Sequence, residues 1–194
     1  SYTVLNPLDE PCRDVFYLPQ IASGFIAQEP GVTLQNVVLA DGTAATAVYG
    51  LERPALGAAV LHLVPGEQPA QASCFVYDGK TLTTPLLQVQ LDELGRITSL
   101  VTRADGMQWA DGPMNTLLMA EDVSAGWDGW DIDADCMMKL QPAARLTKQT
   151  VTADGPQEFR LHSRYELGTA TILEQDMIFR AESTLVEWQT VLHW

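Results

Sequence analysis

With 194 residues, 46% of them hydrophobic, the chain is long enough to bury roughly 70% of its unfolded surface, which excludes general disorder. Its 25 acidic residues against 11 basic ones give a formal net charge of -14. That field repels phosphate backbones and anionic bilayers and no Lys/Arg cluster breaks it, so neither nucleic acid nor membrane is expected as a partner, whereas a neutral ligand such as a sugar stays open.

In chain order, a β-like run at Tyr2 to Leu5 follows Ser1 directly. The first block, of about 70 residues, has the size of a small sandwich. The stretch LVPGEQPAQAS, rich in Pro, Gly and small polar residues, reads as a linker or long turn, so a domain boundary is drawn between 1–72 and 73–194. QASCFVYDG then closes on Asp78-Gly79, and Leu87, Val89 and Leu91 alternate with Gln88, Gln90 and Asp92 before the DELG turn and a return strand through Ile97, Ser99 and Val101. Phe159, Leu161, Ser163 and Tyr165, a turn at Gly168, and Thr171 to Phe179 repeat the hairpin pattern. The nearest helical candidate, CMMKLQPAARLTKQ, is interrupted by Pro142 and has no cap. An all-β fold is expected. EWQTVLHW alternates with period two up to Trp194, so the chain is expected to be an excised piece ending inside a strand. A bare strand edge of that kind invites homo-oligomerisation.

No apolar stretch approaches the ~20 residues of a membrane span, and no signal peptide is visible. Cys12, Cys74 and Cys136 are odd in number and widely spaced, which fits reduced, mostly buried thiols in a cytoplasmic protein rather than a disulfide framework or a zinc site. His62, His162 and His193 each stand alone beside a strand pattern and are expected as surface or packed residues, not ligands.

The densest chemistry is AEDVSAGWDGWDID, residues 120–133, with Glu121, Asp122, Asp128, Asp131 and Asp133 around Trp127 and Trp130. Asp131, Asp133 and Asp135 imitate the start of a calcium loop, but its sixth and twelfth positions are Cys136 and Pro142, so the match fails. The loop could supply a glycosidase carboxyl pair, yet nothing marks one carboxyl as buried and the other as ionised. Indole faces that stack on sugar C–H surfaces, beside carboxylates that accept from hydroxyls, could bind a sugar. Composition alone favours the plainer arrangement, with one or both tryptophans in the sandwich core and the acids capping turns. Serine-nucleophile and phosphate-loop motifs do not occur.

At this loop the sequence resembles the glycoside hydrolase family 38 α-mannosidases, which carry E-D-x-x-x-x-W-D-A-W-D-I-D in their β-rich C-terminal half. Here Glu121-Asp122, four residues, and Trp127-Asp128-Gly129-Trp130-Asp131-Ile132-Asp133 keep the spacing, with Gly129 in place of Ala. GRITSLVTRADG and GPMNTLLMAED resemble the flanking motifs, LNPLDEPCRDVFYLP the opening strand, and ERPALGAAVLHLVPG the segment that closes the small sandwich. The resemblance covers nearly the whole chain, in the family's order. It implies a small β-sandwich followed by the N-terminal part of a large galactose-mutarotase-like β-supersandwich. It also implies a retaining hydrolase of terminal α-D-mannosides whose carboxylates and zinc belong to an N-terminal catalytic domain. No catalytic or metal residue is expected in this chain, which would brace that domain as its partner. The stretch nearest the α-mannoside or oligosaccharide substrate would be Trp127, Asp128, Trp130 and Asp131. The rival expectation is a free-standing carbohydrate-binding or protein-interaction β-sandwich module.

Overall fold

The computed structural model describes residues 1–67, 72–123, 126–127, 129–168 and 170–194. The chain is all-β and antiparallel, and Cys136–Lys139, one turn of α-helix (α1), is the whole helical content of the described residues. Pro142 and the absence of a side-chain cap keep that turn from growing.

The first block contains β1 (Tyr2–Leu5), β2 (Phe16–Pro19), β3 (Phe25–Ala27), β4 (Thr33–Val38), β5 (Ala44–Tyr49), β6 (Ala58–Leu61) and β7 (Leu63–Pro65). A sheet in the order β2-β5-β4 packs against the ribbons β1–β6 and β3–β7. Leu34, Val48, Leu61, Ile21 and Leu51 form the core between them. The stretch read as a linker therefore begins as a strand: β7 pairs with β3, placing Val64 opposite Ile26. Residues 68–71 of that stretch lie outside the described residues.

The second block contains β8 (Val76–Tyr77), β9 (Thr81–Thr83), β10 (Leu87–Leu91), β11 (Ile97–Thr102), β12 (Leu118–Met119), β13 (Gln141–Pro142), β14 (Ala144–Asp154), β15 (Glu158–Leu167), β16 (Thr171–Arg180) and β17 (Val186–His193). The sheets β11-β10-β9-β8 and β14-β15-β16-β17 face each other across Leu82, Leu87, Val89, Ile97, Phe159, Leu161, Met177 and Phe179. β10 alternates as its sequence requires, with Leu87, Val89 and Leu91 inward and Gln88 and Gln90 outward.

The DELG turn that joins β10 to β11 is held by one carboxylate. Asp92 accepts from the backbone N–H groups of Leu94 and Arg96 and from Arg96 Nε at 2.7 Å. Gly95 adopts a φ of +74°, and a Cβ there would stand 2.8 Å from the Tyr165 hydroxyl. Partial burial pushes the Asp92 carboxyl up, but the hydrogen bonds from Arg96 and Leu94 outweigh it and hold the group below its ordinary value. A lowered carboxyl stabilises the fold above its ordinary pKa and loses that contribution as pH falls through the folded value. Asp92→Asn is thus expected to lower stability at pH 7 by about 1–2 kcal/mol. Urea titrations of both proteins should converge as the pH falls below the ordinary carboxylate range, and a gap that stays constant through acid pH contradicts this account.

The two blocks meet on a buried seam. The β2-β5-β4 sheet is covered on both faces, which is why β5 reads as the unbroken small run Ala45, Thr46, Ala47, Val48 instead of alternating. Val37, Ala45 and Ala47 pack with Ala153 of β14. β15 records the boundary in its own burial: Glu158 through Leu161 are buried without interruption, and alternation begins at His162. The N-terminal sandwich covers only the first part of that strand's charged face.

At the seam Glu158, Arg160 and Asp176 are all buried. Glu158 accepts from Tyr17 O–H at 3.0 Å, from Tyr49 O–H and from Arg160 Nε. Arg160 donates from Nη1 to Asp176 at 2.8 Å and to Gln189 at 3.0 Å, and its guanidinium lies 5.0 Å from the centre of the Tyr17 ring. The Gln35 amide grips the backbone of β15, accepting from the N–H groups of Gln157 and Glu158 and donating to the Glu158 carbonyl at 2.7 Å. This grip needs Gly155, where a Cβ would come within 2.4 Å of the Gln35 side chain. Burial, and after it the Glu158 charge, push both phenols upward, so Tyr17 and Tyr49 remain protonated donors.

Candidate functional site

The described residues between 120 and 140 leave the second sandwich through the short β12–β13 ribbon, in which Leu118 pairs with Pro142 and Met119 with Gln141. Leu117 and Met119 anchor its base against Tyr165, Leu167 and Leu173. Beyond that base the loop is tied by its acids. Asp122 Oδ1 accepts from the Asp133 N–H at 2.9 Å, and Lys139 Nζ bridges Asp133 at 3.0 Å and Asp135 at 2.7 Å. The Lys139 hydrogen bond, and after it that of Asp135, hold the Asp133 carboxyl below its ordinary value. Asp122 thus ties the loop across eleven residues, and Asp133 holds Lys139.

The tryptophans are not in the core. Trp127 is 80% exposed and Trp130 90% exposed. The Trp127 carbonyl accepts from the N–H of Trp130 at 2.7 Å and from that of Asp131 at 3.0 Å, which closes a tight turn. Trp127 itself adopts a φ of +61°. Bulky residues reach that left-handed region only against strain of about 1–3 kcal/mol. The turn thus brings Trp127, Trp130 and Asp131 together, with the Asp131 side chain exposed. Asp128 lies outside the described residues. The outward aim has a physical origin: the interior is already filled by the facing rows of two sheets, and the loop starts from the edge of that core. Val123, Ile132, Met137 and Met138 of the same loop region are also exposed.

The histidines are placed as packed or surface strand residues. His62 Nδ1 lies 2.7 Å from Glu29, and His193 is exposed at the end of β17. His162 has one ring nitrogen 2.7 Å from Asp176 and the other 2.9 Å from Glu174. Both of its nitrogens are engaged by carboxylates, so it has none to offer a metal. Among the described residues no group of three or more His, Cys, Asp or Glu side chains is arranged to hold a metal ion, and no helix is long and apolar enough to cross a membrane. The described residues offer no ligand set that fits zinc, which the family resemblance places in an N-terminal catalytic domain. The cysteines are free but not buried: Cys74 is exposed and donates to the Pro156 carbonyl, and half-buried Cys12 accepts from Arg53. Cys12 lies in an isolated bridge to Arg53, Cys74 in a bend and Cys136 at the first residue of α1, none at an inward position of a sheet.

The seam residues Tyr17, Gln35, Tyr49, Glu158, Arg160 and Asp176 are the polar cluster that the sequence did not single out. The available signal was period-two charge along β15, Glu158, Arg160, His162, Arg164 and Glu166, which reads equally well as a solvated face.

Residues 82–194 match the model of the glycosyl hydrolases family 38 C-terminal domain. The chain is also similar to human alpha-mannosidase 2C1, with 27% identity over 117 residues, a match covering 59% of this chain and 11% of that protein. The matched region includes β10 through β17 and most of β9, and with them the tryptophan loop.

Proposed function

Because this chain belongs to the glycosyl hydrolases of family 38 through their C-terminal domain, we propose that it serves as a non-catalytic β-domain of a retaining α-mannosidase acting on terminal α-D-mannosides. In this reading it braces a separate catalytic domain, which supplies the carboxylate pair and the zinc. The turn at Trp127, Asp128, Trp130 and Asp131 lines one side of the sugar pocket. The single observation that carries the loop assignment is a pair of outward indoles, one of them held at a positive φ, on a turn tied down by internal acid contacts. Outward indoles offer flat faces to a pyranose ring, and an exposed carboxylate such as Asp131 can accept from its hydroxyls.

Trp127→Ala, Trp130→Ala and Asp131→Ala in the full-length polypeptide are expected to lower kcat/KM on an aryl α-D-mannoside by about tenfold or more, the loss of one contact of roughly 1.4 kcal/mol. The melting temperature should stay unchanged, because these side chains are largely exposed. Wild-type kinetics in all three variants would leave the loop without a role at the sugar. In the same assay the 194-residue chain alone should release no mannose; turnover by it would overturn the non-catalytic reading.

A further inference from the structure

We propose that the open mouth of the N-terminal sandwich is a second binding site, for a neutral sugar of one or two rings. It shares no residue with the tryptophan loop and does not depend on the role given to that loop. A cleft of about 690 Å³ opens there, within the range of roughly 300–1,000 Å³ typical of small-ligand sites. Its floor is apolar, formed by Ile21 and Leu34 of the sandwich core. Its walls carry Ser23, Phe25, Asn36 and Glu67.

The register of the sheet makes this lining unusual. Inward-facing positions of β2, β4 and β5 are otherwise apolar: Phe16, Leu18, Leu34 and Val48. At the cleft the same face carries Asn36 paired across the strands with Thr46. Of this pair Thr46 is buried, where a polar group is costly unless satisfied, while Asn36 stands exposed at the rim. Thr46 is satisfied: its hydroxyl accepts from the Ile21 N–H at 2.9 Å and donates to Asn36 Oδ1 at 2.8 Å. These bonds fix the Asn36 amide through its oxygen, and its Nδ2 has no hydrogen-bond partner among the described residues. The amide is a preset donor at the rim of a cleft of mixed lining, beside the apolar floor of Ile21 and Leu34.

The surrounding groups narrow the class of ligand. Glu67 offers carboxylate oxygens, Ser23 a hydroxyl, and the Phe25 ring, 40% exposed, a flat apolar surface. Planar amide and carboxylate groups beside an aromatic face suit a pyranose, which is apolar on its C–H faces and hydroxylated at its edge. Among the described residues Glu67 is the one charged residue of the lining, and no Lys or Arg stands there. On a chain of net charge -14 this disfavours an anionic ligand.

The test is a 15N-HSQC titration of the 194-residue chain with a panel of neutral methyl glycosides, methyl α-D-mannopyranoside among them, and with mannose 6-phosphate as the anionic control. At least one neutral glycoside should give saturable shifts at Ser23, Gly24, Phe25, Glu67 and the Asn36 side-chain amide, and the phosphate should give none. Phe25→Ala and Glu67→Gln, both at exposed positions, should each weaken binding about tenfold, whereas Trp127→Ala/Trp130→Ala should leave it unchanged. The proposal is overturned if no glycoside shifts these amides, if shifts are confined to residues 120–133, if both cleft variants bind like the wild type, or if the phosphate binds equally well. The kinetic test of the tryptophan loop can fail or succeed independently of all four.

Discussion

Glu158→Ala is expected to destabilise the chain by about 3–5 kcal/mol, the usual penalty for removing one partner of a buried ion pair. Glu158 is fully buried, and its two oxygens serve Tyr17, Tyr49 and Arg160 together. Alanine leaves two phenol donors without an acceptor and leaves the Arg160 guanidinium with Asp176 as its remaining ionic partner. With a urea m-value of about 2 kcal/mol/M, the midpoint should fall by roughly 1.5–2.5 M. Since a domain of this size is stable by about 5–15 kcal/mol in total, a large share of the variant would be unfolded under mild denaturant. Glu158→Gln keeps one acceptor oxygen but turns an amide N–H toward existing donors, so its loss should be smaller and still measurable. A midpoint for Glu158→Ala within experimental error of the wild type would mean that the seam is held by the apolar contacts of Val37, Ala45, Ala47 and Ala153 alone.

Arg160→Met is the second large expected effect, also about 3–5 kcal/mol. Methionine fills most of the volume, so the loss reports charge rather than a cavity. Without the guanidinium, two fully buried carboxylates, Glu158 and Asp176, lose their shared cation, and the Tyr17 ring loses the cation that faces it. Arg180 stands 3.7 Å from Glu158 but is already engaged by Glu187 at 2.9 Å and by Tyr17 at 3.2 Å. It can compensate only in part. The double variant Glu158→Gln/Arg160→Met should cost less than the sum of the single changes by about 0.5–3 kcal/mol, because each single change strands the partner that the other removes. Strict additivity would show that the two side chains are not energetically coupled, contrary to their geometry.

Much of the fold was legible because a strand half-exposed to water must alternate. β10, β15 and β17 do so in the sequence, and the structure pairs them as that pattern demands. The absence of long helices followed from Pro142 and from the lack of a cap. What escaped the sequence was the second layer of burial. Alternating charge along β15 looks the same whether the opposite face meets water or another sheet, and only the long-range contacts of Tyr17, Gln35 and Tyr49 reveal which. The alanines of β5 were the quiet clue, since small residues on both faces of a strand permit close approach on both sides. At the loop the residue types were right for contact with a sugar, but composition pointed the indoles inward. Nothing in the local sequence announces that Trp127 takes a positive φ, because that depends on the turn its carbonyl closes and on the acid ties around it. The amide at Asn36 escaped for a related reason: its place opposite Thr46 is a property of register, which pairing across strands sets.

The outward indoles also decide how this protein can be watched. Of five tryptophans, Trp109 is 58% exposed and Trp194 88% exposed, which leaves Trp188, half-buried against the second core, as the single partly shielded fluorophore beside the two of the loop. Emission from the native chain should already resemble that of indole in water and be quenched readily by acrylamide. Denaturation will barely move its maximum, so melts are better followed by far-UV circular dichroism. A ring stacked on Trp127 and Trp130, by contrast, would shift the spectrum to the blue, turning an insensitive probe of folding into a direct optical report of occupancy.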